Sequence, residues 1–265
     1  MDFTTITLAV ADGVAELTLN RPKALNSLTK TLIDEMRVAL GEAAHDAAVK
    51  VLLITGAGRG FCAGANLADS GFPNDGSRSP GQQVAHSMEI GYNPLARDLG
   101  SFPKPVVVAV NGVCAGGGVG LALAGDIVLA ARSAYFVQVF GPKLGIVPDV
   151  GVTWYAPRLV GRARARALAL LGDRLPAEKA AEWGLIWEAV DDDKLMSEAR
   201  ALAARLAKGP RRGFAKIKEV LDASPSNSLD AQLELERVTQ GELADLPDFR
   251  EGVIAFLQKR EPVFQ

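Results

Sequence analysis

The segment 144–157, "LGIVPDVGVTWYAP", holds a single charged side chain, Asp149, between Pro148 and Val150. A carboxylate with so few polar neighbours resists ionisation, so its pKa rises toward the range that a proton-shuttling base requires. The same residue could instead cap a helix beginning near Val152, because Asp offers an acceptor to the first unpartnered N–H groups. Spacing alone leaves both open. Most of the other 30 acidic residues fall on polar helix faces, and Asp126, just after Gly125 at the start of an apolar run, reads as structural.

A second kind of chemistry comes from backbone. Two glycine-rich loops, "TGAGRGFCAGANL" (55–67) and "NGVCAGGGVG" (111–120), each follow an apolar, strand-like run. A strand that runs into such a loop and then a helix start leaves N–H groups without partners. Two donors from separate loops could hold one developing oxyanion; glycines that merely permit close packing are the alternative.

Other chemistries find little support. The two histidines, His45 in "AAHDAA" and His86 after a polar insert, have no identifiable partner and read as surface residues. No G-x-S-x-G, no H-E-x-x-H and no cluster of metal ligands occurs, so no metal is expected. "GAGRGF" brings its third glycine one residue too early for a dinucleotide loop, and G-x-x-x-x-G-K-[ST] is missing. Cys62 and Cys114 stand in apolar, glycine-rich surroundings outside any C-x-x-C pattern and read as free buried thiols.

The formal net charge of -2 supplies no basic field for nucleic acid or an anionic membrane, which favours a small-molecule partner. The amino-terminal "MDFTTITLAV" lacks the pattern of a secretory signal, and no apolar run approaches the ~20 residues of a membrane span. A cytoplasmic location is expected.

The elements that must position these residues follow an α/β order. "FTTITLAV" and "VAELTLN" alternate around Asp12 and Gly13, which predicts a hairpin. Apolar residues at helical spacing from the candidate cap Thr29 predict an amphipathic helix to about His45. "VKVLLIT", "PVVVAVNG" and "DIVLAA" read as buried strands, with "GLIWEAV" as a short fourth, and helices fall between them, one of them near 84–99. After Asp193 the pattern is helical throughout, broken near Gly209-Pro210, Ser224-Pro225 and Pro247. The expected division is a body over 1–195 and a helical region over 196–265 that packs on a neighbouring subunit.

In this order the segments "NRPKALNSL" (20–28), "GRGFCAGANL" (58–67), "NGVCAGGGVGLALAGDI" (111–127), "GIVPDVG" (145–151), "AAEWGLIWEAV" (180–190) and "EGVIAFLQKREPVF" (251–264) resemble the crotonase, or enoyl-CoA hydratase/isomerase, superfamily. The resemblance spans essentially the whole chain. It implies an α/β spiral of ββα units, a helical C-terminal trimerisation region, trimers or hexamers built as dimers of trimers, and an acyl-CoA thioester as substrate. No cofactor beyond the coenzyme A of that substrate is implied.

The family's oxyanion hole falls on the N–H groups of Ala65 and Gly117. Lys23, Ala24, Leu25, Ala63, Asn66 and Leu67 match its CoA-contacting positions, Asn66 standing where most relatives carry Asp. The two glutamates of the family's hydratases fall on Gly120 and, to within a residue, Phe140, neither of which moves a proton. In several isomerases the working acid lies where Asp149 stands, and the segments around it are most similar to the ring-rearranging isomerases of phenylacetate breakdown. The resemblance therefore implies an isomerase in which Asp149 transfers the proton. An Asp149 nucleophile as in aromatic dehalogenase relatives, a hydratase that handles water differently, and a non-catalytic acyl-CoA-binding protein are the alternatives.

Overall fold

The computed structural model describes residues 2–68, 70–74 and 76–264. Its first element is the expected hairpin, β1 (Ile6–Ala11) and β2 (Val14–Leu19), paired antiparallel with Ala11 opposite Val14. Asp12 (φ 50°) and Gly13 (φ 82°) both adopt positive φ, the conformation that matches a two-residue turn to the twist of its strands. Helix α1 (Lys30–His45) is capped as predicted, the Thr29 side chain accepting from the Leu32 N–H.

The next strands lie parallel. β3 (Val51–Gly56), β5 (Val106–Val110), β7 (Ile127–Ala131) and β10 (Glu188–Val190) extend the hairpin into a six-stranded sheet of order β1-β2-β3-β5-β7-β10. β3 and β5 are buried along their whole length, which explains their unbroken apolar runs.

A second sheet of short strands, ordered β4-β6-β8-β9, has its first two strands inside the two glycine-rich segments that read as loops. β4 (Gly60–Cys62), β6 (Val113–Ala115) and β8 (Tyr135–Val137) each follow one strand of the large sheet, and a helix comes after each pair. The chain thus repeats a ββα unit. Three-residue strands carry too little alternation to be distinguished from glycine-rich loop. Within the first two of these units follow α2 (Pro80–Ser87) with α3 (Asn93–Gly100), and α4 (Gly117–Leu123).

Two boundaries differ from the sequence expectation. The helix placed near 84–99 starts at Pro80, where Ser79 and Gln82 form a reciprocal capping box, and it passes through a π-helical turn, Met88–Tyr92. In "GLIWEAV" only Glu188–Val190 is strand. Past β8, α5 (Val152–Leu171) is broken at Gly161 (φ 77°), and β9 (Leu175–Pro176) leads to α6 (Ala177–Glu182).

The four C-terminal helices fall where the breaks placed them. α7 (Leu195–Ala207) lies on the large sheet through a buried stripe of Leu195, Ala199, Ala203 and Ala207. α8 (Arg211–Ala223), α9 (Leu229–Ala244) and α10 (Pro247–Gln258) bury far less, with Thr239 and Ala255 the buried positions among them. Their apolar residues Leu229, Phe249, Phe256 and Leu257 are exposed. Among the described residues, no helix is long and apolar enough to cross a membrane.

Candidate active site

Two loops meet at the ends of β4 and β6. A Cβ added to Gly64 (φ 84°) would stand 2.9 Å from Ala115 O and 3.3 Å from Gly117 N, so glycine is what lets the loops touch. Around Ala65 the chain makes a parallel bridge to Leu28: the Leu28 N–H donates to Gly64 O (2.8 Å) and the Asn66 N–H to Leu28 O (2.9 Å). That pattern skips the Ala65 N–H. On the other loop the Gly116 N–H donates to Val137 O (3.0 Å), and Gly117 opens α4, where an N–H has no intrahelical acceptor. Among the described residues neither the Ala65 nor the Gly117 N–H enters a backbone hydrogen bond, and both residues line one cavity of about 260 Å³.

Asp149 faces the same cavity. It sits on a tight turn in which Val150 (φ 50°) and Gly151 (φ 78°) are both left-handed, an unfavourable state for a β-branched residue. The helix cap is Gly151, without any side-chain cap bond, and Asp149 contributes to α5 through its backbone O, which accepts from the Val152 N–H (3.0 Å). Asp149 Oδ1 is buried and has no hydrogen-bond partner among the described residues. The capping role is therefore not realised. Burial pushes the Asp149 pKa up to about 6, a hydrogen bond from its own backbone N–H opposing the rise. A Cβ on Gly117 would lie 3.3 Å from Oδ1, so the carboxylate stands directly beside Gly117.

The two positions that would carry hydratase glutamates are closed to that chemistry. A Cβ on Gly120 would lie 2.1 Å from Val150 O, so the Asp149 turn occupies the space a side chain would need. Phe140 is buried, and its aromatic side chain lines the cavity wall.

Ala63, Ala65, Asn66, Leu67, Gly117 and Asp149 all border this one cavity. Lys23, Ala24 and Leu25 do not; they lie on and just after a single 3-10 turn, Pro22–Ala24, tied to the first loop by the Ala63 N–H donating to Leu25 O (2.9 Å). Asn66 Oδ1 accepts from the Ala68 N–H. Neither histidine borders the cavity, and His45 Nδ1 instead pairs with Gly41 O. Cys62 and Cys114 are free, fully buried and paired in register across β4 and β6; burial pushes the Cys62 thiol up to about 12. Among the described residues, no group of three or more His, Cys, Asp or Glu is arranged to hold a metal.

Sequence reasoning places further pocket residues in the variable segment 70–100 without naming them. Gln83, Val84, Ser87, Met88 and Tyr92 come from α2 and the π-helical turn. The Ser79-x-x-Gln82 capping pattern announces the helix, but nothing in a linear pattern shows that it folds over Asp149. A larger cavity of about 770 Å³ lies beside Trp154 and Asp126. Asp126 Oδ2 there accepts from the Val106 N–H and from Lys218 Nζ, both at 2.7 Å, in keeping with a structural role.

A buried carboxylate on the same cavity as the Ala65 and Gly117 backbone, carried by repeated ββα units, defines a class of proteins as well as a site. Residues 9–265 match the enoyl-CoA hydratase/isomerase family, and the chain belongs to it. It is 50% identical over 255 residues to the 1,2-epoxyphenylacetyl-CoA isomerase of Escherichia coli K12, covering 96% of each chain. It is 34% identical to a trans-2-decenoyl-[acyl-carrier-protein] isomerase of Streptococcus mutans, covering 100% of this chain and 99% of the relative. A crystal structure of an enoyl-CoA hydratase from Polaromonas sp. JS666 superposes with a TM-score of 0.91 at 33% identity, covering 98% and 99% of the two chains.

Proposed function

We propose that the protein is an acyl-CoA isomerase that moves a carbon-carbon double bond by proton transfer through Asp149. The Ala65 and Gly117 N–H groups polarise the thioester carbonyl, which acidifies the neighbouring carbon. Asp149 takes an α- or γ-proton, the negative charge moves onto the carbonyl oxygen between the two donors, and the same proton returns at another carbon. Composition is unchanged, and a reaction that moves only a proton requires no metal or redox cofactor.

Ala63, Asn66 and Leu67, with Lys23, Ala24 and Leu25 on the adjoining turn, hold the coenzyme A portion in this proposal. The identity to the E. coli isomerase favours a ring-epoxide phenylacetyl thioester, which the same enolate would carry to the oxepin form; 3-enoyl to 2-enoyl isomerisation uses the same groups. The homotrimer or hexamer implied by the resemblance belongs to this proposal too, with α8 to α10 at the subunit contacts.

The observation that carries the reading is the unpartnered Asp149 Oδ1 beside Gly117. Ring-epoxide and 3-enoyl thioesters incubated with the enzyme should give isomerised products on chromatography. Asp149→Asn should fold and bind coenzyme A esters yet lose turnover by at least ~100-fold. Near-wild-type turnover by that variant would overturn the proposal.

A further inference from the structure

The thioester carbonyl and the transferred proton account for Ala65, Gly117 and Asp149, but not for a phenol on the same cavity wall. We infer that Tyr92 is a further substrate-contacting residue, its hydroxyl donating a hydrogen bond to an acyl-group oxygen other than the thioester carbonyl, of the epoxide or ring-ether class. This rests on the isomerase reading above and narrows it to substrates that carry such an oxygen.

Tyr92 lines the cavity that Asp149 lines, yet it is only 5% exposed. Its ring is fixed from two directions. The Phe72 ring packs against it with centroids 5.3 Å apart, and the same Phe72 leaves no room for a side chain at Gly91, where a Cβ would come within 2.5 Å. The π-helical turn Met88–Tyr92, closed by the Asn93 N–H on Met88 O, places the residue at the junction of α2 and α3. Such turns insert one extra residue into a helix and commonly re-aim a side chain at a functional site.

The Tyr92 ring is buried, and its hydroxyl opens on the cavity, where a ligand oxygen can reach it. The Tyr92 hydroxyl has no protein hydrogen-bond partner among the described residues; of the serines on the same wall, Ser87 Oγ donates to Val84 O, and Ser70 Oγ accepts from the Phe72 N–H and keeps its own proton to donate. Gln83 contributes an acceptor, because its Nε2 donates to Pro73 O and leaves the buried Oε1 unpartnered. Asp149 is also an acceptor whenever it can act as a base. An ether oxygen accepts and cannot donate, so of these three unpartnered groups the phenol is the one that suits it.

The environment keeps that phenol a donor. Burial first, then the charge of Asp149 and of Cys62, pushes the Tyr92 pKa up to about 12, so the hydroxyl holds its proton across the working pH range. Asp149 can therefore ionise and cycle its proton while Tyr92 stays neutral.

The test compares the wild type, Tyr92→Phe and Asp149→Asn on a ring-epoxide phenylacetyl-CoA and on a 3-enoyl-CoA without any acyl oxygen beyond the thioester. Tyr92→Phe keeps the ring against Phe72 and removes only the hydroxyl; unchanged thermal melting confirms the fold. The expected result is a loss of roughly 10- to 100-fold in kcat/KM on the epoxide with less than about twofold change on the 3-enoyl ester. Asp149→Asn should lose both. Equal effects of Tyr92→Phe on the two substrates, whether none or the same loss, would overturn the inference by reducing Tyr92 to packing. A wild type active on the 3-enoyl ester alone would overturn it too and leave proton transfer by Asp149 standing. A wild type inert on both would remove the isomerase reading itself.

Discussion

As the proposed base, Asp149 combines two demands that oppose each other, because a base must ionise and a buried carboxylate resists doing so. Its pKa, raised from 3.8 to about 6, fixes the sign of two pH effects. As the proposed base it must be unprotonated, so kcat/KM should rise through an apparent pKa near 6 and then level off; a pH profile flat from 5 to 8 would contradict the assignment. Between pH 3.8 and about 6 the native state holds a proton that the unfolded chain has released, so this group's contribution to stability falls as pH rises through that window. Asp149→Asn removes the cost of ionisation and should stabilise the fold at pH 7.5 by up to about 3 kcal/mol while removing activity, readable in urea melts at pH 5 and pH 7.5. The residue was legible in sequence as the one charge in an apolar stretch. Whether it capped a helix or stood free was not, because both demand the same spacing, and the structure separates them through Oδ1, which nothing contacts by hydrogen bond.

Among the elements, α4 and the turn carrying Asp149 depend on each other's bare backbone. Gly118 approaches Cys62 O so closely that a Cβ would stand 2.4 Å away, and Gly120 meets Val150 O in the same manner. Gly120→Ala should therefore cost at least ~3 kcal/mol or displace the Asp149 turn, since neither backbone group can yield as a flexible side chain would. A thermal melt together with kcat/KM checks this, and a fully stable, fully active Gly120→Ala enzyme would contradict the contact. The long elements were readable because hairpin alternation, the Thr29 cap and the buried runs of β3 and β5 repeat over many residues. β4, β6 and β8 were not, since three-residue strands leave no period to detect. The π-helical turn that presents Tyr92 has no periodic signature either.

At the scale of the molecule, α8 to α10 expose Phe249, Phe256 and Leu257, with Phe256 82% exposed. Apolar surface of this kind on a water-facing helix marks an interaction face. In the proposed trimer the particle mass is three times the 27.9 kDa of one chain, and in the hexamer six times. Sedimentation equilibrium should find one of these, and Phe256→Glu should shift the population toward monomer; a monomeric wild type would refute the assembly. The order of helical segments after Asp193 was plain from composition. That α7 lies on the sheet while its successors stand away from it was not, because Ala199, Ala203 and Ala207 form a buried stripe too small to register as apolar.

The contact between Gly120 and Val150 also bears on how this chemistry could change by mutation. A glutamate at position 120 and the present Asp149 turn compete for the same volume, so one chain cannot carry both proton-handling arrangements. Passage from one to the other must move the turn and the glycine together, and single-step intermediates would be defective in folding as well as in turnover. Directed selection for hydration starting from this protein should accordingly recover paired changes at 120 and within 148–151 rather than substitutions at either site alone.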